Sequence, residues 1–262
     1  MMKFGMPTLI GLESLEETAA LCRALELDFV ELNMNLPRYQ IQRMDPAEFR
    51  RIGDDYGIGY TVHLDENMNV CDFNPAVAGV YRDTVVRTIG FARELGIPVL
   101  NMHMLSGVYF TLPEGKVYLF EKYRQEYREN LLRFRDDCTR AAEDSGVKIC
   151  VENWHGYTSW QVEALDILLE SPAFGLTFDV GHNFCIGGAD EPVILARKDR
   201  LRHMHLHDVD RGQDHRALGT GQLDIHRCLA LAKEQDCSVV LETKTVESLR
   251  QSVRWLREQQ SW

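Results

Sequence analysis

One pattern constrains this chain more than any other: eight times, a short apolar run is followed by an amphipathic segment of helical period. The runs occupy 3–9, 28–34, 59–64, 98–104, 148–154, 175–181, 201–207 and 238–244. The helical segments occupy 14–26, 45–57, 80–96 and 118–146, then shorter stretches near 161–170, 191–197 and 223–235, and a last one at 246–258. Eight strand–helix units imply parallel strands joined by helical crossovers. With 262 residues and no Pro/Ser-rich linker, the expectation is one α/β domain over 1–262, a closed (β/α)8 barrel. A doubly wound open sheet is the alternative, but no G-x-G-x-x-G follows the first run. Ser14 with Glu17 three residues on reads as a capping box, and Gly57, Gly96 and Gly146 as helix-ending glycines.

Charge and cysteine content narrow the function classes. A formal net charge of −11 opposes approach to a phosphate backbone, so nucleic acid is disfavoured unless bound metal reverses the local field. The seven cysteines are odd in number and contain no C-x-x-C pair, which fits reduced thiols. The start of the chain turns acidic too early for a secretory signal, and no run of about 18 apolar residues occurs. The expectation is a cytoplasmic protein with no membrane partner.

In a barrel of this kind chemistry gathers at the C-terminal strand ends. Reading the end of each run in turn gives Glu31, His63, His103, Glu152, Asp179 with His182 just beyond, His205 and Glu242. Alternation sharpens the choice, because residues two apart on a strand share a face. His203, His205 and His207 then share one face. Cys150, Thr177 and Val240 form a neutral layer beneath Glu152, Asp179 and Glu242. Carboxylates are costly to bury unless paired or coordinated, so Glu152, Asp179, His205 and Glu242 together call for a cation. Three carboxylates and an imidazole suit Mn²⁺ first, with Mg²⁺, Co²⁺ or Zn²⁺ as alternatives.

At these residues the chain resembles the xylose isomerase-like TIM barrel superfamily, which holds sugar isomerases and epimerases together with the endonuclease IV class of abasic-site nucleases. The resemblance rests on VEN (151–153), FDVGH (178–182), HMHLHD (203–208), LGTGQLD (218–224) and LETK (241–244). Similarity to the ketose 3-epimerase branch implies one divalent ion held by Glu152, Asp179, His205 and Glu242, with substrate contacts from His182 and Arg211. Similarity to the endonuclease branch implies three zinc ions on His63, His103, Glu152, Asp179, His182, His205, His215 and Glu242. The remaining aspartate of that branch falls at Gln213, and an amide is a poor zinc ligand.

The preferred expectation is therefore a metal-dependent isomerase or epimerase of a sugar or sugar phosphate. Glu152 and Glu242 would flank the sugar, one removing a proton beside a carbonyl and the other returning it through a metal-stabilised enediolate. His63, His103, His182, Arg211, His215, Glu31 and Lys244 are the expected substrate contacts, and Trp154, Tyr157, Tyr109 and Phe110 candidate apolar walls. The long segment 105–123 is expected to act as a lid or an interface. A multi-zinc nuclease, a metal-dependent lyase or dehydratase, and a barrel that binds without turnover are the rival readings; a homo-oligomer stays open.

Overall fold

The computed structural model describes residues 2–259. Its elements run β1 (Phe4–Pro7), α1 (Leu15–Ala24), β2 (Phe29–Asn33), α2 (Pro46–Tyr56), β3 (Gly59–His63), α3 (Pro75–Leu95) and β4 (Val99–His103). A hairpin of β5 (Tyr109–Leu112) and β6 (Gly115–Tyr118) follows, then α4 (Leu119–Lys122), α5 (Arg124–Ala142), β7 (Lys148–Glu152), α6 (Ser159–Leu169) and β8 (Phe174–Asp179). The chain continues through α7 (Val180–Cys185), α8 (Glu191–Leu195), β9 (Leu201–Leu206), a second hairpin of β10 (Asp208–Asp210) and β11 (Gln213–Arg216), α9 (Ile225–Glu234), β12 (Ser238–Leu241) and α10 (Val246–Glu258). Eight strands close into a barrel in the order β1, β12, β9, β8, β7, β4, β3, β2. Every neighbouring pair is parallel, so the expected (β/α)8 fold is what forms.

Strands buried on both faces explain the near-continuous apolar runs. Leu32, Val62, Leu100, Ile149, Leu176 and Leu241 are fully or almost fully buried. The polar residues breaking those runs meet one another inside the barrel. Local chemistry sets the helix ends as expected in most places. Ser14 accepts from the Glu17 backbone N–H, while the Glu17 carboxylate reaches Glu13 rather than Ser14, so only half of the capping box forms. Gly57 and Gly96 end α2 and α3 in the left-handed conformation, at φ 64° and 67°.

Two expectations are corrected. The helical segment 118–146 is interrupted at Tyr123 (φ −107°, ψ 51°), where the chain turns so that Phe120 buries against Tyr127 and Trp160. Helix α5 ends at Ala142, so Gly146, at φ 76°, sits in the following turn and does not cap it. The insertion 105–123 contains a two-stranded hairpin whose Tyr109, Phe110 and Leu112 are exposed, a strand pair outside the barrel. Among the described residues no helix is long and apolar enough to cross a membrane.

Candidate metal centre

Neighbouring strands place the ligand candidates side by side. Asp179 is in register with His205, His103 with Glu152, and Val240 with His205, which sets Glu242 just beyond the end of β12. The Nδ1 atom of His205 lies 3.3 Å from Glu152 Oε1, 3.2 Å from Glu242 Oε2 and 3.9 Å from Asp179 Oδ2. Ligand atoms around a tetrahedral ion with bonds of about 2.1 Å stand about 3.4 Å apart, so these separations suit a shared cation. His205 and Asp179 are fully buried and Glu152 nearly so. Neither His205 Nδ1 nor Glu242 Oε2 has a hydrogen-bond partner, and both face the same point. Buried polar atoms are nearly always partnered, so two facing unpartnered atoms that each offer a lone pair, the imidazole nitrogen when bare, fit a divalent ion between them.

The electrostatics repeat this pattern. Burial pushes the Glu152 carboxyl up, but the His205 and His103 imidazoles overcome it and hold the group well below the usual carboxylate range. Burial likewise opposes the Glu242 charge, and His205, His215 and Lys244 outweigh it. Burial alone would lower His205; the Glu152, Glu31 and Glu242 carboxylates raise it well above an ordinary histidine. A proton on His205 and a cation beside it are thus alternative ways to neutralise Glu152 and Glu242.

The two glutamates are held differently. Glu152 Oε2 accepts from the Asn101 amide and stands 3.1 Å from His103 Nε2 and 3.5 Å from His63 Nε2. His63 Nδ1 lies 2.8 Å from the Leu64 carbonyl, which requires the proton on Nδ1 and leaves Nε2 aimed at Glu152. Against the effect of burial, that carboxylate raises His63 to about 9. Glu242 Oε1 is instead gripped at the rim, 2.8 Å from the exposed Lys244 ammonium and 3.3 Å from His215 Nε2.

Most of the expected site residues converge, but not all at one depth. His182, on α7, puts Nδ1 3.4 Å from Asp179 Oδ2 and 3.7 Å from Glu152 Oε1. Glu31 lies in the middle of β2, not at its end, and its carboxylate is taken by His203 at 2.9 Å, Thr61 at 3.1 Å and His205 Nε2 at 2.9 Å. It sits one layer beneath the candidate ligands, where its nearest partners are these side chains, a place that suits a carboxylate backing His205 as well as the expected hydroxyl contact. The layer below is accordingly not neutral, because Glu31 and His203 occupy it. Arg211 is exposed at the tip of the β10–β11 hairpin, where Arg211 and Gly212 both have positive φ, as a two-residue type I′ turn requires.

Some contributors escaped the sequence reading. Asp214 is the first: its Oδ1 is 2.9 Å from His215 Nδ1 and its Oδ2 3.8 Å from His182 Nε2, so the acid expected at position 213 stands one residue on. Asn153 is the second, exchanging two 2.9 Å hydrogen bonds with the Asp179 backbone and locking β7 to β8 at the ligand level. Asp208 is the third, accepting from Gly221 and Leu223 and so shaping the LGTGQLD stretch as a structural turn. Trp154 covers His103 with rings 4.9 Å apart. A groove of about 360 Å³ opens beside Glu242 and Lys244, lined by Thr8, Asn33, Asn35 and Glu66. A larger one of about 730 Å³ lies outside the barrel between Phe184, Leu195 and Leu231 and holds none of the ligands, so volume alone does not locate the chemistry.

Comparison with known proteins places the arrangement in context. The profile of a family described as xylose isomerase-like TIM barrel matches residues 19–259. The uncharacterized protein MJ1311 of Methanocaldococcus jannaschii is 26% identical over 273 residues, covering 98% of this chain and 89% of that one. A D-tagatose 3-epimerase-like protein superposes with a TM-score of 0.78 at 24% identity, covering 98% of this chain and 96% of the other. The 3-keto-D-glucoside 4-epimerase YcjR of E. coli superposes with a TM-score of 0.79 at 16% identity, covering 98% and 100%. An IolI protein solved with a bound zinc atom superposes at 0.74 with 15% identity, covering 99% and 96%. At these identities the solved structures speak for the fold alone.

Proposed function

The chain belongs to the xylose isomerase-like TIM barrel family, and from that premise we propose that it is a divalent-metal-dependent isomerase or epimerase of a sugar or sugar phosphate. The observation that carries this reading is that carboxylate oxygens of Glu152, Asp179 and Glu242 all lie within 3.9 Å of one buried atom, His205 Nδ1, which like Glu242 Oε2 has no hydrogen-bond partner. The names of two structural neighbours, a D-tagatose 3-epimerase-like protein and a 3-keto-D-glucoside 4-epimerase, support the substrate class. The zinc of the IolI structure supports a cation, for which Mn²⁺ is our first choice on the oxygen-rich donor set.

A bound cation supplies Lewis-acid polarisation of a carbonyl. The protein supplies the proton transfers. Glu152 and Glu242 approach from different sides of the barrel and their charged forms are stabilised, so each is ready to accept a proton from the carbon beside that carbonyl. Inversion needs the opposite glutamate to enter the step protonated, so that it gives its own proton to the other face while the first keeps the one it removed; return of that proton by the first glutamate to the adjacent carbon interconverts aldose and ketose. His182, His215 and Lys244 line the rim where hydroxyl or phosphate oxygens would lie, with Arg211 exposed at the tip of the β10–β11 hairpin.

The test is metal analysis of the purified protein followed by deuterium wash-in from heavy water over a panel of ketoses, aldoses and their phosphates. One divalent ion per chain and exchange lost in Glu152→Gln and Glu242→Gln are expected. No exchange with any sugar overturns the reading.

A second reading has its own observations. Asp214 stands close to His182 and His215, and His63 aims Nε2 at Glu152 beside His103. Each group resembles a further cation site, as a multi-zinc nuclease of the endonuclease IV kind would need. The acidic loop Leu64–Asn74 and the net charge of −11 oppose a nucleic-acid substrate. Three tightly held zinc ions with cleavage of abasic DNA would decide for this reading.

A further inference from the structure

We propose that His207 is a positioning residue that ties the ligand set to the β10–β11 hairpin, holding Asp179 with one ring nitrogen and His215 with the other. This rests on Asp179 being a metal ligand, as proposed above.

His207 lies one residue beyond the end of β9 and is fully buried. Its Nδ1 is 2.8 Å from the backbone N–H of His215. A backbone N–H only donates, so Nδ1 accepts and the ring proton sits on Nε2. That nitrogen is 3.2 and 3.1 Å from the two Asp179 oxygens and donates to them. His207 stands at ligand spacing from His182 and His215, yet both its nitrogens are committed and none is left to bind a cation. Its part is to hold a ligand.

The surroundings require the ring in that place. A Cβ at residue 181 would lie 2.1 Å from it, so only a glycine at the start of α7 admits the imidazole against the helix that Asp179 caps. His215 is a non-glycine residue at φ 54°, a left-handed conformation that side chains other than glycine's rarely adopt. Besides its side-chain contacts to Asp214 and Glu242, it is held there by the N–H bond to His207 and the stacking of the two rings, 4.3 Å apart and within 8° of parallel. In that conformation His215 brings Nε2 to Glu242 Oε1 at 3.3 Å. Two stacked rings therefore bridge Asp179 on β8 to Glu242 after β12, and they register the hairpin bearing Arg211 against the ligands.

Two substitutions separate the functions. In His207→Asn the amide oxygen takes the place of Nδ1 and accepts from His215 but does not reach Asp179. In His207→Gln the terminal amide takes the place of Nε2 and donates to Asp179 but leaves His215 without an acceptor. Mn²⁺ affinity, measured by competition with a fluorescent chelator, and hydrogen exchange of the His215 amide read the two separately. His207→Asn is expected to weaken Mn²⁺ about 10–100-fold with the amide still protected. His207→Gln is expected to keep affinity within about threefold while amide exchange accelerates at least about tenfold. Equal effects of both variants on both readouts, or no effect of either, overturn the proposal. A wild-type protein that binds no Mn²⁺ overturns the ligand reading itself, and the amide comparison still decides for or against the His207–His215 link.

Discussion

Nδ1 of His205 and Oε2 of Glu242 face each other across 3.2 Å, and neither has a hydrogen-bond partner. A cation that binds only the folded chain stabilises it by mass action, about 2.7 kcal/mol at a hundred times its dissociation constant. For a chain of this size that is a rise in Tm of roughly 5–10 °C. Calorimetry with Mn²⁺ and then with chelator is expected to show that shift in the wild type and almost none in Glu242→Leu. A wild-type Tm indifferent to both additions would sink the metal centre.

Proton release should accompany binding. The surrounding carboxylates raise His205 well above an ordinary histidine despite its burial, so the metal-free site carries a proton there near neutral pH. Coordination needs that nitrogen bare, and affinity is expected to rise with pH until the raised value is passed. Titration calorimetry in buffers of different ionisation enthalpy should count about one proton released per ion.

The same groups set a pH trend for the chelated protein. Against its burial, Glu152 raises His63 to about 9, from 6.5 in an unperturbed histidine. A group whose folded value is raised stabilises fully below its unfolded value and loses that contribution as pH climbs through the folded one. Denaturant midpoints of the chelated protein are expected to fall between about pH 6.5 and 9, and less steeply in His63→Gln. A flat profile in both would count against the charged His63–Glu152 pair.

Glu31 should matter without touching substrate. Its carboxylate lies 2.9 Å from Nε2 of both His203 and His205. Glu31→Gln keeps an acceptor and is expected to weaken metal binding about 10–100-fold with little change in KM. Glu31→Leu strands two buried histidines and should cost about 3–5 kcal/mol, read by chemical denaturation. A Glu31→Gln variant that raises KM alone would favour the hydroxyl contact expected from the sequence.

Thiol chemistry offers a check on the fold. Cys185 is exposed, Cys228 half-buried and the other five buried. Burial pushes Cys22, Cys150, Cys228 and Cys237 up to about 12. A disulfide reagent at neutral pH is expected to find about one fast thiol in the native protein and all seven in denaturant. Because the unfolded chain releases these protons near 9 while the folded chain keeps them, stability should also decline from about pH 9 upward.

Much of the site could be read before any fold was known, because a parallel barrel forces its strand ends together and alternation fixes which side chains share a face. His205, Asp179, Glu152 and Glu242 followed from those two rules. Glu31 did not, since a shift of two residues in where β2 ends leaves its face unchanged and only lowers it by one layer. Asp214 was hidden by a turn: the two positive φ residues at 211–212 reverse the chain, and which of residues 213 and 214 faces His182 depends on that hairpin's register. The break at Tyr123 arose from packing between Phe120 and Trp160, partners 40 residues apart that no local pattern relates.

Every candidate ligand is carried by a barrel strand or its immediate end, whereas Arg211, His215 and the exposed Tyr109–Leu112 stretch ride on two hairpins that are not part of the barrel. The β5–β6 hairpin can thus be exchanged for another without disturbing the strands that hold the candidate ligands, whereas the β10–β11 hairpin is tied to Asp179 and Glu242 through His207 and His215.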